Sequence, residues 1–121
     1  RKPDLVATHH DQGALTVLLG DGAGRFSETR PSPFDFGRNA SQVVLGDANR
    51  DGSLDALAAT GEGVRIMLGD GRGNFKTAPG SPFQTGRGVW RLAVADLNGD
   101  NKLDIVTTNL ESRSVGVLLG R

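Results

Sequence analysis

The chain has 121 residues, no cysteine, and 14 acidic and 14 basic residues, so its formal net charge is zero. The length suits one domain, the lack of cysteine excludes disulfides and thiolate metal sites, and scattered Lys and Arg predict no nucleic-acid-binding face. No apolar run approaches about 18 residues, so no membrane span is expected.

The N-terminal segment predicts short strands joined by tight turns. A strand is expected from Asp4 to Thr8, and residues 1–4 are expected to be the end of an acidic loop in which Asp4 alone binds nothing. Residues 17–26, VLLGDGAGRF, predict a strand and a glycine-rich turn. No Lys-Ser/Thr pair and no helix follow, so a turn is favoured over a phosphate cradle.

Two acidic loops dominate the rest of the chain. Residues 47–55, DANRDGSLD, return as DLNGDNKLD at residues 96–104, a shift of 49 residues. Oxygen-bearing side chains at loop positions 1, 3, 5 and 9 can converge on Ca²⁺, which prefers about six to eight oxygen ligands. Without a cation the carboxylates would repel one another. The sequence therefore predicts two Ca²⁺ ions per chain.

The ligand set differs from that of a helix–loop–helix calcium site, which needs a Glu at loop position 12. That position holds Ala58 and Thr107, and the residues after each loop are short, β-rich apolar runs. The predicted ligands are four side chains and one backbone carbonyl per loop. They are Asp47, Asn49, Asp51, the carbonyl of Ser53 and Asp55, then Asp96, Asn98, Asp100, the carbonyl of Lys102 and Asp104.

The same residues also form turns when no cation is present, and that alternative stays open. Loop position 6 is Gly52 in the first loop and Asn101 in the second. Glycine adopts positive φ easily, whereas Asn101 must adopt it at some cost.

The whole chain repeats with the loops. Residues 17–26 recur at 66–75, residues 117–120 begin a third copy, and Ser32-Pro33-Phe34 recurs as Ser81-Pro82-Phe83. Each unit has four apolar segments, one before the acidic loop, one after it, one ending in Leu-Gly and one near the Pro-Phe pair. This predicts an all-β fold of four-stranded antiparallel meanders, the pattern of β-propeller blades of roughly 40 to 50 residues. Phe26 and Phe75 are expected to pack between blades.

The residues LAVADLNGD at 92–100, LDIV at 103–106 and the LGDGxGxF turns resemble the FG-GAP or VCBS repeat family, found in integrin α-subunit propellers and secreted bacterial proteins. The resemblance covers essentially the whole chain. It implies calcium loops between the first and second strands of a blade, and a secreted or cell-surface location.

Against that template the chain holds about two and a half blades. Residues 1–37 give strands 2 to 4 of a partial blade, 38–86 a complete blade, and 87–121 strands 1 to 3 of another. Closed propellers have roughly four to eight blades. The chain is therefore expected to be a partial propeller, to be completed by oligomerisation with other copies or by further blades, or to form an open stack.

Meander geometry places the calcium loops and the glycine-rich turns at one end of the strands. The opposite end is more varied, and Trp90, Arg87 and Arg38 are the predicted contacts there for a carbohydrate or protein ligand. The alternative is that Trp90 fills the central channel or a gap between blades.

No catalytic set is predicted. His9 and His10 lie beside Asp11, but the equivalent repeat positions are Thr60 and Asn109. There is no cysteine nucleophile and no G-x-S-x-G elbow. We therefore expect a non-enzymatic calcium-binding module for adhesion or ligand binding. The alternatives are a propeller segment of a larger secreted enzyme, such as a polysaccharide-degrading one, and a purely structural repeat array.

Overall fold

The computed structural model describes residues 2–121, which form three antiparallel β-sheets and, within that range, no helix. The first sheet contains β1 (Leu5–His9), β2 (Ala14–Gly20), β3 (Phe26–Glu28) and β4 (Phe34–Asp35). The second contains β5 (Gln42–Gly46), β6 (Asp55–Thr60), β7 (Gly63–Gly69) and β8 (Phe75–Thr77). The third contains β9 (Val89–Ala95), β10 (Asp104–Asn109) and β11 (Ser114–Leu118). Across residues 2–121 the structure offers no helix with the length and apolar character needed to cross a membrane.

The middle sheet is the complete meander predicted from the repeat, with strand order β5-β6-β7-β8. All six residues of β6 are buried, because both faces of this strand are covered by neighbouring sheets. A strand buried on both faces is read as a continuous apolar run, not as an alternating one. The sequence after Asp55, ALAAT, has this character.

Two apolar clusters hold the three sheets face to face. The cluster between the first and middle sheets includes Leu15, Phe36, Ala56, Ala58 and Met67. The cluster between the middle and third sheets joins two sets of buried side chains, Leu57, Ala59 and Val64 from the middle sheet and Val89, Leu92 and Ile105 from the third. Successive sheets therefore stack as consecutive blades do.

The outermost strand lies partly elsewhere than predicted. We expected it near the Pro-Phe pair, but it is split in two: β3 pairs with the end of β2, and β4, which begins at Phe34, pairs with its start. Between the two pieces the backbone N–H of Val17 donates to Ser32 Oγ at 3.1 Å. The middle sheet repeats this arrangement, with Ile66 N–H donating to Ser81 Oγ at 2.9 Å. The serine of each Ser-Pro-Phe motif thus replaces a missing strand partner.

The phenylalanine that follows each glycine-rich turn has two different environments. Phe75 packs edge-on against Phe34, with ring centroids 5.6 Å apart, between the first two sheets as predicted. Phe26 is 42% exposed, so within the described residues it packs against no second sheet. The reason is that no sheet within residues 2–121 covers the side of the first sheet on which Phe26 lies.

Candidate functional site

The first acidic loop joins β5 to β6 and folds around its own side-chain oxygens. Asp47 accepts hydrogen bonds from the backbone N–H groups of Asp51 (3.1 Å) and Gly52 (2.9 Å). Asn49 Oδ1 accepts from the same Asp51 N–H at 3.1 Å, and Asp51 Oδ1 accepts from Ser53 N–H at 2.8 Å. The loop therefore brings together three predicted ligands, Asp47, Asn49 and Asp51.

The second loop, between β9 and β10, has the same hydrogen bonds at the equivalent positions. Asp96 accepts from the N–H groups of Asp100 (3.2 Å) and Asn101 (2.9 Å). Asn98 Oδ1 accepts from Asp100 N–H at 3.1 Å, and Asp100 Oδ1 accepts from Lys102 N–H at 2.9 Å. Two stretches that differ at four of nine positions thus adopt one conformation.

The last carboxylate of each loop is placed differently. Asp55 and Asp104 open β6 and β10 and are completely buried. Asp55 Oδ2 accepts from Ala48 N–H at 2.8 Å, and its Oδ1 accepts from Gly69 N–H at 2.9 Å. Asp104 makes the same pair of bonds, to Leu97 N–H and Gly120 N–H, each at 2.8 Å. An ionised carboxylate offers about four acceptor positions, so these bonds leave acceptor capacity unused.

Left-handed backbone occurs at two positions of each loop. Asn101 has φ of 64° and Gly52 has φ of 87°, as predicted for loop position 6. Position 4 is also left-handed, with φ of 63° at Arg50 and 79° at Gly99. Each loop therefore carries one glycine and one bulkier residue at its two strained positions, in opposite order.

The donor set suits a hard cation. Carboxylate, amide and carbonyl oxygens are the ligands that Ca²⁺ takes in proteins. The pKa of Asp51 is lowered by the backbone N–H of Ser53 and by the Asn49 amide, and the pKa of Asp96 is lowered mainly by the backbone N–H of Asn101. Both carboxyls are therefore ionised at neutral pH. Within residues 2–121 no three Asp, Glu or His side chains are clustered tightly enough to form a metal site by themselves, so amide and carbonyl oxygens would have to complete one.

The glycine-rich turns lie at the same end of the sheets as the acidic loops. A cavity of about 380 Å³ separates Asn49 and Asp51 in the loop from Asp70 and Asn74 in the turn. Asp70 Oδ1 accepts from the N–H groups of Arg72 (2.8 Å) and Asn74 (3.2 Å). A phosphate cradle would need these N–H groups to be free. In this turn they donate to Asp70 instead, so they are not available to bind phosphate.

The opposite end carries the residues predicted to contact a ligand. Trp90 lies at the start of β9 and is 43% exposed in the single chain. The Arg91 guanidinium lies 5.7 Å from the centroid of the Trp90 ring. The His10 ring, from the first sheet, approaches the Trp90 ring edge-on at 6.5 Å. Arg38 and Arg87 are exposed on the same end of the sheets.

The structure thus groups Trp90 with two residues that the sequence reasoning did not select. His10 was set aside because its position varies between repeats, and Arg91 was overlooked beside Trp90. The proximity of His10 depends on the stacking of the sheets, since this residue precedes Trp90 by 80 positions. Adjacent residues of a strand point to opposite faces, so the order of residues alone does not pair Arg91 with Trp90.

Comparison with known families gives one match. The family model described as FG-GAP-like repeat matches residues 1–58 and, a second time, residues 47–107. The overlap of the two matches contains the first acidic loop, and the second match also contains the second loop. Comparison with curated proteins and with solved structures finds no match.

Proposed function

Because the chain belongs to the FG-GAP-like repeat family, we propose that it is a non-catalytic, calcium-binding β-propeller module that binds a ligand or an adhesion partner outside the cell. The observation that carries the proposal is the set of side-chain to backbone hydrogen bonds that the two acidic loops share at equivalent positions. Turn formation alone does not require an acid or amide at positions 1, 3, 5 and 9 of both loops.

Each loop would hold one Ca²⁺ through the predicted oxygens. These are Asp47, Asn49, Asp51, Asp55 and the Ser53 carbonyl in the first loop, and Asp96, Asn98, Asp100, Asp104 and the Lys102 carbonyl in the second. The bound ion would neutralise the clustered carboxylates. The protein itself preorganises the site, because the backbone N–H groups of Ser53 and Lys102 already orient Asp51 and Asp100. Calcium near millimolar concentration outside cells would fill even modest sites of this kind.

Calcium titration by calorimetry tests the proposal. We expect two sites per chain and a higher melting temperature with calcium, because a ligand that binds only the folded state stabilises it by about 2.7 kcal/mol at 100 times its Kd. Asp51→Ala should remove one site and Asp100→Ala the other. Asp21→Ala is the matched control, because Asp21 also caps a turn through backbone N–H bonds but lies outside both loops. Two sites retained in both loop variants would contradict the ligand assignment.

The ligand-binding part of the proposal concerns Trp90. An exposed aromatic ring with Arg91 and His10 beside it can stack on a sugar ring or anchor a protein contact. Trp90 is the only tryptophan in the chain, so its fluorescence reports directly on this end of the sheets. Quenching by members of a glycan panel, lost in His10→Ala at unchanged melting temperature, would identify a carbohydrate. A panel without any response would exclude carbohydrate as the ligand class.

A further inference from the structure

We propose that this 121-residue chain associates head to tail with a second copy of itself, with the outer face of the third sheet packed on the outer face of the first. The trailing face is the outer side of the third sheet and comprises Ala93, Val106, Thr108, Val115 and Val117. The leading face is the outer side of the first sheet and comprises Leu5, Ala7, Ala14, Thr16 and Leu18. The proposal rests on family membership and on sheet stacking, and it does not require calcium.

The trailing face is mostly apolar and is exposed to solvent. Val106 is paired with Val117 and Thr108 with Val115, and directly opposed residues point to the same side of a sheet. Val115 is 66% exposed and Val117 is 54% exposed. Isolated exposed apolar residues are ordinary, whereas several on one sheet face indicate a binding surface.

The repeat shows what covers such a face. The middle-sheet residues equivalent to the trailing face are all apolar, and they pack against the third sheet; they are Val44, Leu57, Ala59, Val64 and Ile66. Leu57, Ala59 and Val64 are fully buried there. The chain therefore already covers this type of face once, with the next sheet of the repeat.

The leading face is the other half of the same contact. Leu5 and Leu18 are opposed, as are Ala7 and Thr16, and Leu5 is 46% exposed. On the third sheet the equivalents of Leu5 and Leu18 are Ile105 and Leu118, which pack on the middle sheet. On the middle sheet they are Ala56 and Met67, which pack on the first sheet.

The chain thus presents, at its two outer sheets, both halves of an interface that it makes twice internally. A second copy has the same two faces, so its leading face can cover the trailing face of the first copy. Burying both faces removes apolar surface from water. A head-to-tail contact forms a ring when its rotation closes. Two copies contribute six sheets, which lies within the roughly four to eight blades of closed propellers. We therefore expect a ring of two copies.

Light scattering on the purified chain tests this association. We expect twice the 12.7 kDa mass of one chain, both in chelator and in calcium. Val117→Arg should halve the mass, because it places a charge in the trailing face. Leu45→Arg is the matched control, since Leu45 is 40% exposed but lies on the middle sheet, outside both faces. Circular dichroism confirms that each variant is folded.

A mixing experiment tests the head-to-tail geometry. Ala7→Arg should also halve the mass, because Ala7 is exposed at the centre of the leading face. Mixing the Ala7→Arg and Val117→Arg chains should restore the double mass through one of the two interfaces of the ring, because the intact trailing face of one variant meets the intact leading face of the other. The second interface carries both arginines and stays open. A parent chain that is a monomer or larger than two copies, or variants that keep the double mass, would overturn the proposal. A double mass in chelator supports it even if calcium titration finds no site.

Discussion

Asp55 accepts a hydrogen bond from the backbone N–H of Gly69 at 2.9 Å and thereby joins the start of β6 to the end of β7. Asp104 and Gly120 make the same bond at 2.8 Å, and Asp4 and Gly20 make it at 2.9 Å. The last aspartate of the loop motif therefore connects neighbouring strands in all three sheets.

The first prediction concerns the free energy of unfolding without calcium. Asp55→Asn should lower it by about 1–3 kcal/mol in chelator, because the amide can accept at only one of its two terminal atoms and leaves a backbone N–H unsatisfied. Both N–H partners, on Ala48 and Gly69, currently donate to the buried carboxylate. Urea denaturation followed by circular dichroism measures the change.

Asp4→Asn is the control for this prediction. Asp4 makes the equivalent bond to Gly20, but the bond lies at the protein surface. Water can replace the lost acceptor there, so the change should stay within about 0.5 kcal/mol. If Asp55→Asn costs no more than Asp4→Asn in chelator, Asp55 acts only as a metal ligand.

The second prediction concerns the glycine at the other end of this bond. Gly69→Ala should lower the free energy of unfolding by about 1–3 kcal/mol, because the added Cβ would overlap the carbonyl oxygen of Leu54. A backbone atom cannot move aside without disturbing the acidic loop. Thermal melting of the parent and the variant in chelator gives the comparison.

Gly46→Ala is the matched control, since this glycine also ends a strand with ordinary φ. Its added Cβ would come too close to the Leu103 Cδ1 atom, at 2.7 Å, and would make an ordinary contact with Val94 Cγ2 at 3.8 Å. A side-chain terminus can rotate away, so the loss should be smaller than for Gly69→Ala. Equal losses would show that the Leu54 carbonyl is not the obstacle.

Local sequence predicted the features that depend on local chemistry. The positive φ of Asn101 followed from the loop motif, and the all-β fold followed from the repeated apolar segments. The left-handed Arg50 was missed, because a long side chain is an unusual choice there and the glycine in the second copy, Gly99, was not compared with it. Aligning the two loops position by position pairs Arg50 with Gly99, and a glycine at that position indicates a positive φ.

Features that depend on how sheets stack were not predictable in this way. The contact of His10 with Trp90 joins the turn after β1 in the first sheet to the start of β9 in the third, and nothing in either segment specifies the other. The bonds from Asp55 to Ala48 and Gly69 likewise depend on the register of three strands. The sequence showed that Asp55 belonged to a motif, but only the register shows that it also connects strands.

The third prediction concerns the interrupted outer strand. Ser81→Ala should lower the free energy of unfolding by about 1 kcal/mol, because it removes the acceptor for Ile66 N–H at a position where no strand backbone replaces it. Ser27→Ala is the control, since Ser27 lies exposed in β3, where the backbone is paired with Leu19. Urea denaturation should show little change for Ser27→Ala. A smaller loss for Ser81→Ala than for Ser27→Ala would exclude the proposed function of the Ser81 hydroxyl.

The fourth prediction concerns acid stability. The pKa of Asp70 is lowered from its ordinary value of 3.8, first by the hydrogen bond from the Asn74 side chain and then by the backbone N–H of Arg72. Because the folded state favours the ionised carboxylate, this contribution to stability is complete above pH 3.8 and is lost as the pH falls through the lower pKa of the folded state. An NMR titration in chelator should therefore place the Asp70 midpoint below 3.8, and Asn74→Ala should raise it. A midpoint at or above 3.8 in the parent chain would mean that the turn does not hold Asp70 in its ionised form.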